Sequence, residues 1–154
     1  MDDLPPEACS CSALRQAARH LTRFYDEMLA PTGLGLNQYS ILAKVDRHGE
    51  MSVQRLAALL VMDRSTLGHL LRPLERRGLL TVRPSTSDGR KRVVALSPEG
   101  SALLGSAKPL WKDAEERFQA GFGQDEAAGL RNLMRQVTVI DLQGAPTPAA
   151  AAPQ

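Results

Sequence analysis

The chain has 154 residues, 19 Lys and Arg against 17 Asp and Glu, 43% hydrophobic residues and a net charge of +2. That length holds one domain, or one module with appended helices, and buries a core without metal or disulfide. Two cysteines exclude a disulfide scaffold, the acidic start is no secretory signal, and no apolar run is long enough to span a membrane, so a cytoplasmic protein is expected.

The small net charge is unevenly spread. Between positions 64 and 92 lie eight basic residues (Arg64, Arg72, Arg76, Arg77, Arg83, Arg90, Lys91 and Arg92) and two acids, Glu75 and Asp88. That stretch is +6 and the remainder is −4. Charge of one sign gathered in one segment is the footprint of a nucleic-acid binder, even where the global sum hides it.

In chain order, residues 1–9 read as a disordered lead. Leu14, Ala17, Ala18, Leu21, Phe24, Met28 and Leu29 fall at the spacing of an amphipathic helix over about 10–30. Pro31-Thr32-Gly33-Leu34-Gly35 ends it. A second helix is expected from Asn37, a good N-cap residue, to His48-Gly49. Ser52 is placed to cap a short helix carrying Leu56, Ala57 and Leu60. After Val61-Met62, Asp63 is placed to cap a basic helix that ends at Gly78. Two helices joined by a tight turn, the second one basic, form a helix-turn-helix pattern.

Leu79-Leu80-Thr81-Val82-Arg83 and Arg92-Val93-Val94-Ala95-Leu96 read as strands of a hairpin with a basic tip and Asp88-Gly89 in the turn. Ser97-Pro98 starts a long helix, a break falls near Gly121-Phe122-Gly123, and a last helix carries Leu130, Leu133, Met134, Val137 and Ile140. Residues 143–154 read as a disordered Ala/Pro tail.

In the basic helix, Leu67, Leu70, Leu71 and Leu74 are spaced to pack inward. Ser65, Thr66, His69, Arg72 and Arg76 project elsewhere, with Arg64 at the start. Residues at the start of such a helix contact base edges, and Arg, Ser and Thr carry the donors and acceptors to do so. Pro73 removes one backbone bond and predicts a local kink. Arg90 at the hairpin tip suits a minor groove, Lys91 and Arg92 suit phosphates, and Asp88 is placed to pair with Arg90.

The run Asp63-Arg64-Ser65-Thr66-Leu67, then Leu71-Arg72-Pro73-Leu74-Glu75-Arg76-Arg77-Gly78-Leu79, Asp88-Gly89-Arg90 and Val94-Ala95-Leu96-Ser97-Pro98-Glu99-Gly100, resembles the MarR family of bacterial transcriptional regulators. The resemblance covers roughly residues 10 to 142. It implies a mainly α fold: a winged helix-turn-helix over 36–97, flanked by dimerisation helices over 10–35 and 98–142. It also implies a homodimer on a pseudo-palindromic double-stranded operator, acting as a repressor. The long apolar helices at both ends are what a dimer needs; packing within one chain is the alternative.

Members of the family are released from DNA by a small aromatic acid or phenolic effector, or by thiol oxidation, and the sequence leaves both open. Cys9 and Cys11 lie at the start of the first helix, where the helix terminus and Arg15, one turn beyond Cys11, favour a reactive thiolate. Cys11, Ser12, Ala13, Leu14, Arg19, Thr22 and Tyr25 resemble the start of the organic-peroxide-sensing OhrR type. Cys11 matches its reactive cysteine and Tyr25 one of its tyrosines, but Leu36 stands at the second tyrosine position and Arg15 at another aromatic one. Incidental thiols at a frayed end are the alternative. For an aromatic carboxylate, Arg15, Arg19, His20, Tyr39 and Trp111 are the candidates.

His20, His48 and His69 form no metal-ligand spacing, and no cofactor or metal is expected. Two other function classes are a thiol peroxidase or redox enzyme using Cys11 and a helical interaction module without DNA binding. The lack of hydrolase, metalloprotease and nucleotide-binding motifs stands against the first, the +6 segment against the second.

Overall fold

The computed structural model describes residues 9–142. The expected lead, apart from Cys9, and the expected tail lie outside the described residues. The chain forms two compact units that divide within one long helix, after Arg117.

In the first unit, α1 (Ser10–Leu29) starts from Cys9, whose backbone is extended, and buries only Tyr25 and Leu29. A 3-10 turn (Ala30–Thr32) follows, closed by Gly33 at φ +68°, a left-handed conformation natural to glycine. Helix α2 (Leu36–His48) departs from the expected start at Asn37. Asp26 Oδ1, reaching from α1, accepts the Leu36 N–H at 2.6 Å, and Gln38 Oε1 accepts the Gly35 N–H at 3.2 Å. Asn37 is therefore already inside the first turn, and a carboxylate ten positions back does a cap's work.

Helix α3 (Val53–Leu60) is capped by Ser52, whose Oγ accepts the Arg55 N–H at 3.1 Å. The turn to α4 (Arg64–Arg76) holds Val61 at φ +52°, which is strained for a β-branched residue. Helix α4 runs on through Pro73, which falls in its last turns. It ends at Gly78 (φ +70°), with the Leu79 N–H returning to the Leu74 carbonyl at 3.0 Å.

The expected hairpin forms from β2 (Leu80–Pro84) and β3 (Arg92–Leu96), with Val82 opposite Val94. A third strand, β1 (Met51–Ser52), was not read from the sequence; it pairs antiparallel with β3, so the sheet order is β1-β3-β2. Helix-turn-helix followed by this hairpin is a winged helix-turn-helix, the expected fold class.

The core under it is almost wholly aliphatic. Leu29, Ile41, Leu42, Val45, Leu56, Leu67, Leu74, Leu80, Val94 and Leu104 are all at most 1% exposed. Each such side chain contributes about 2 kcal/mol by leaving water.

Helix α5 (Pro98–Phe122) begins at a crowded junction. Ser97 Oγ donates to the Gly78 carbonyl at 2.6 Å and accepts the Gly100 N–H at 2.9 Å. The Ser97 N–H donates to the Leu79 carbonyl at 3.2 Å. A Cβ at Gly100 would stand 1.9 Å from that carbonyl oxygen.

In the second unit, α5 ends with Phe118 and Phe122 stacked at 5.3 Å. Gly123 at φ +105° breaks the chain direction, and α6 (Gln124–Val139) follows. Ala127 is its buried residue; Leu133, Val137 and, just past its end, Ile140 are exposed.

Gly100→Ala should destabilise the fold by about 1–3 kcal/mol, because the obstacle is backbone and not a side chain that can swing away. Thermal denaturation measures it. A midpoint equal to that of the parent chain would mean the junction of α5 with β2 is looser than described.

Candidate nucleic-acid interface

Helix α4 owes its orientation to its leucines. Leu67, Leu71 and Leu74 are buried and Leu70 is half-buried, so the helix presents its other side to solvent. Arg64, Ser65, Thr66, His69, Arg72 and Arg76 are all exposed there. Ser65, His69, Arg72 and Arg76 follow the i, i+4, i+7, i+11 spacing of a single face.

Asp63 organises the start of this face. Its Oδ1 accepts the Thr66 N–H at 2.8 Å and its Oδ2 accepts the Thr66 hydroxyl at 2.6 Å. The Thr66 hydroxyl and backbone bonds hold the Asp63 carboxyl below the usual carboxylate range. With its hydrogen engaged by Asp63, the hydroxyl oxygen of the exposed Thr66 is left as an acceptor. The sequence allowed this threonine to donate or accept; the geometry narrows it.

The far end of α4 is tied to the first helices. Arg77 Nη1 donates to the Gly33 carbonyl at 2.9 Å, in the turn that Asp26 helps to shape. The wing is fastened by Arg83, whose guanidinium pairs with Glu50 next to β1. At the wing tip Asp88 fixes the shape, though not through the guanidinium of Arg90. Its Oδ1 accepts the Arg90 backbone N–H at 3.1 Å, and the Lys91 ammonium lies 3.8 Å from Oδ2. Arg90, Lys91 and Arg92 are exposed. Arg64 and these three wing cations line one cleft with Ser52, Val53 and Gln54. The start of α3 was not singled out as functional from sequence; the Ser52 cap was its visible signal.

The sensor and ligand candidates lie on α1, α2 and α5 and at the residue before α1. Cys9 and Cys11 are exposed at the first turn of α1. Tyr25 lies on the same helix, about 20 Å along the axis from Cys11, and its hydroxyl donates to Glu115 of α5. Tyr39 and Trp111 do come together, stacked at 5.7 Å and 14° between α2 and α5. Burial, and next the Asp46 carboxylate, raise the Tyr39 phenol above its ordinary value. Arg15, Arg19 and His20 are exposed on α1. Arg19 borders an open groove with Ala18, Thr22, Arg23, Asp26, Glu27 and Ala30, all of the α1 region.

Residues 34–91 match the model of the MarR family. The organic hydroperoxide resistance transcriptional regulator of Bacillus subtilis is 28% identical over 102 residues, 66% of this chain and 69% of that protein. The transcriptional repressor NicR of Pseudomonas putida is 25% identical over 128 residues, 83% of this chain and 81% of NicR. The transcriptional regulator MosR of M. tuberculosis, solved in complex with DNA, is 32% identical; the match covers 84% of this chain and 96% of MosR, with a TM-score of 0.74. These relatives are regulators, which sets aside the peroxidase and the non-binding interaction module.

Because Asp63 is ionised when it caps α4, Asp63→Ala should lower the melting temperature at neutral pH. The folded-state pKa is depressed, so the carboxylate's contribution is full above the unfolded-state value. It fades as pH falls through the lower folded-state value. Melting curves of both proteins from pH 7 to pH 3 should converge at the acid end; a gap constant with pH would contradict the assignment. With its capped helix, outward basic face and fastened wing, and with relatives covering most of its length, the chain belongs to the MarR family of transcriptional regulators.

Proposed function

We propose that the chain is a repressor that binds a pseudo-palindromic double-stranded operator as a homodimer in the cytoplasm and leaves it when Cys11 is oxidised. The observation that carries the DNA reading is the outward face of α4 beside the basic wing tip, with every one of the nine candidate contact residues exposed. In this reading α4 lies in the major groove. Thr66 and Arg72 read base edges, Arg90 enters the minor groove, and Lys91 and Arg92 bind phosphates.

Thr66, as an acceptor, favours the amino groups of adenine N6 or cytosine N4 and has nothing to offer guanine O6 and N7. Two further helices support a dimer. Exposed Leu133, Val137 and Ile140 form an apolar strip, and along α1 Leu14, Leu21, Phe24 and Met28 are only half-buried.

Thiol oxidation is the signal this reading adopts, because Cys11 is exposed at the first turn of α1. The name of the Bacillus relative points the same way. In the step itself the Cys11 thiolate attacks the terminal oxygen of an organic hydroperoxide, an S–O bond forms as the O–O bond breaks, and the departing alkoxide takes a proton from water, leaving sulfenic acid and the alcohol.

Titration of double-stranded DNA from the chain's own upstream region should show affinity falling about a thousandfold between 50 and 200 mM salt, if about six phosphates are contacted. Thr66→Val and Arg72→Ala should change which operator variants are preferred, whereas Arg90→Ala should weaken all of them alike. No binding at low salt would refute the DNA reading; uniform losses in all three variants would refute the division of roles. An organic hydroperoxide should lower DNA affinity in the parent chain and leave Cys11→Ser unaffected. Equal responses would remove Cys11 from the mechanism.

A further inference from the structure

Asp88-Gly89, at the tip of the wing, is the one place in the chain where Asp or Asn precedes Gly. Asp88 opens a β-turn, closed by the Lys91 N–H on the Asp88 carbonyl at 2.9 Å. Asp88 Oδ1 accepts the Arg90 N–H at 3.1 Å, which folds the carboxyl back along its own chain, past the Gly89 nitrogen. The Lys91 ammonium, 3.8 Å from Oδ2, lies beyond hydrogen-bond reach of it. Among the described residues the Gly89 N–H has no hydrogen-bond partner. Gly89 is exposed, and apart from its chain neighbours a Cβ there would meet nothing within 4 Å.

These are the parts of an intramolecular reaction. The covalent chain holds an amide nitrogen beside a carboxyl carbon, which replaces a bimolecular encounter. The nitrogen's own residue has no side chain to hinder approach and has the backbone freedom to make it. In its protonated form the Asp88 carboxyl is attacked at Cγ by the Gly89 nitrogen. A C–N bond forms, the C–OH bond breaks, and the hydroxyl leaves as water with the amide proton. The product is a cyclic succinimide. Water then adds to the carbonyl carbon that belonged to the Asp88 backbone, the C–N bond on that side breaks, and the nitrogen regains a proton. Mass is unchanged, but the backbone now runs through the side chain, one methylene longer, with a free carboxylate on Cα.

We propose that Asp88-Gly89 isomerises to isoaspartate in the folded chain, and that the isomerised wing is a substrate for a carboxyl methyltransferase. That enzyme moves the methyl group of S-adenosylmethionine to an oxygen of the new carboxylate, and S-adenosylhomocysteine departs. The carbonyl that accepted the Lys91 N–H has become the carboxylate, and Oδ1 no longer stands over the Arg90 N–H. The turn that sets Arg90 and Lys91 therefore opens. The consequence for DNA rests on the DNA-binding reading above: the tip cations leave their places and operator affinity falls.

The full chain is incubated at neutral pH for several weeks and digested with trypsin, and its peptides are followed by chromatography and electron-transfer fragmentation. Isoaspartate should accumulate in the peptide spanning 78–90 and not in those that hold Asp46 or Asp113. The aged protein should take up label from S-adenosylmethionine when an isoaspartyl carboxyl methyltransferase is added. Gly89→Ala, whose methyl group has open space, should fold as the parent does and slow the conversion about tenfold. Conversion no faster than at Asp46 or Asp113, or unaltered in Gly89→Ala, overturns the site. Isoaspartate without methyl uptake overturns the methyltransferase half.

The separated isoaspartyl form should bind upstream DNA about tenfold more weakly than fresh protein. Equal affinity of the two forms overturns the link from turn shape to DNA. Absence of DNA binding by both forms overturns the DNA-binding reading and leaves the isomerisation standing.

Discussion

The buried leucine seam of α4 is the constraint on which the interface depends. Leu67, Leu71 and Leu74 lie on one side of a helix of 13 residues and are no more than 4% exposed. Burying each contributes about 2 kcal/mol, far more than any exposed charge pair on the same helix could contribute. The seam therefore decides which way α4 faces, and the charges follow. Arg72 and Arg76 are outward because Leu71 and Leu74 are inward. A helix that turned them toward the core would have to desolvate guanidinium groups with no acid waiting for them. The +6 segment is a surface feature made by the core.

A reading helix needs a fixed frame, and the frame here is built from backbone groups. The end of α4, the start of β2 and the start of α5 meet at Ser97, whose hydroxyl and N–H reach Gly78 and Leu79. Only a residue without a Cβ can follow at position 100, because α5 passes so close to the Leu79 carbonyl. On the opposite side, β1 lays Met51 against Val94 and leads directly into α3. The wing is thus joined to both helices of the helix-turn-helix, by a strand on one side and a serine junction on the other. Its tip is the part held by local bonds, those of Asp88 to its neighbours.

Much of this was legible because the signals are local. Ser52, Asp63, Gly78 and Ser97 each act within a few residues of themselves, and each does what its type and position predict. The aliphatic periodicities found the helices for the same reason. What escaped was set by distant partners. Strand β1 is two residues long and exists only because β3 offers it an edge. The start of α2 moved from Asn37 to Leu36 because a carboxylate on another helix reached it. Two prolines lie inside helices, Pro73 in α4 and Pro109 in α5.

The site residues divide along the same line. Residues chosen from a helix face or a hairpin tip are exposed, and Arg64, Arg90, Lys91 and Arg92 share one cleft. Of the candidates chosen for chemical type across distant elements, Tyr39 stacks on Trp111, and Arg15, Arg19 and His20 are exposed on α1.

The near-neutral total charge now has a physical meaning. Counterion release gives every phosphate contact a sequence-independent affinity. A uniformly basic chain would gain that affinity in any orientation. Here the excess of cations lies between positions 64 and 92, on α4 and the wing, while the remainder of the chain has 11 cations against 15 acids and sums to −4. An orientation that turns α4 and the wing toward a polyanion gathers the largest excess of favourable contacts. If Thr66 and Arg72 read base edges, as proposed above, that same orientation presents those edges to them, and the placement of charge works in the direction of specificity. In a homodimer the argument strengthens: two such faces related by a two-fold axis are satisfied together only by two half-sites at the matching spacing. The charge excess that looks negligible in the sum is, in its placement, concentrated on the face proposed to read the operator.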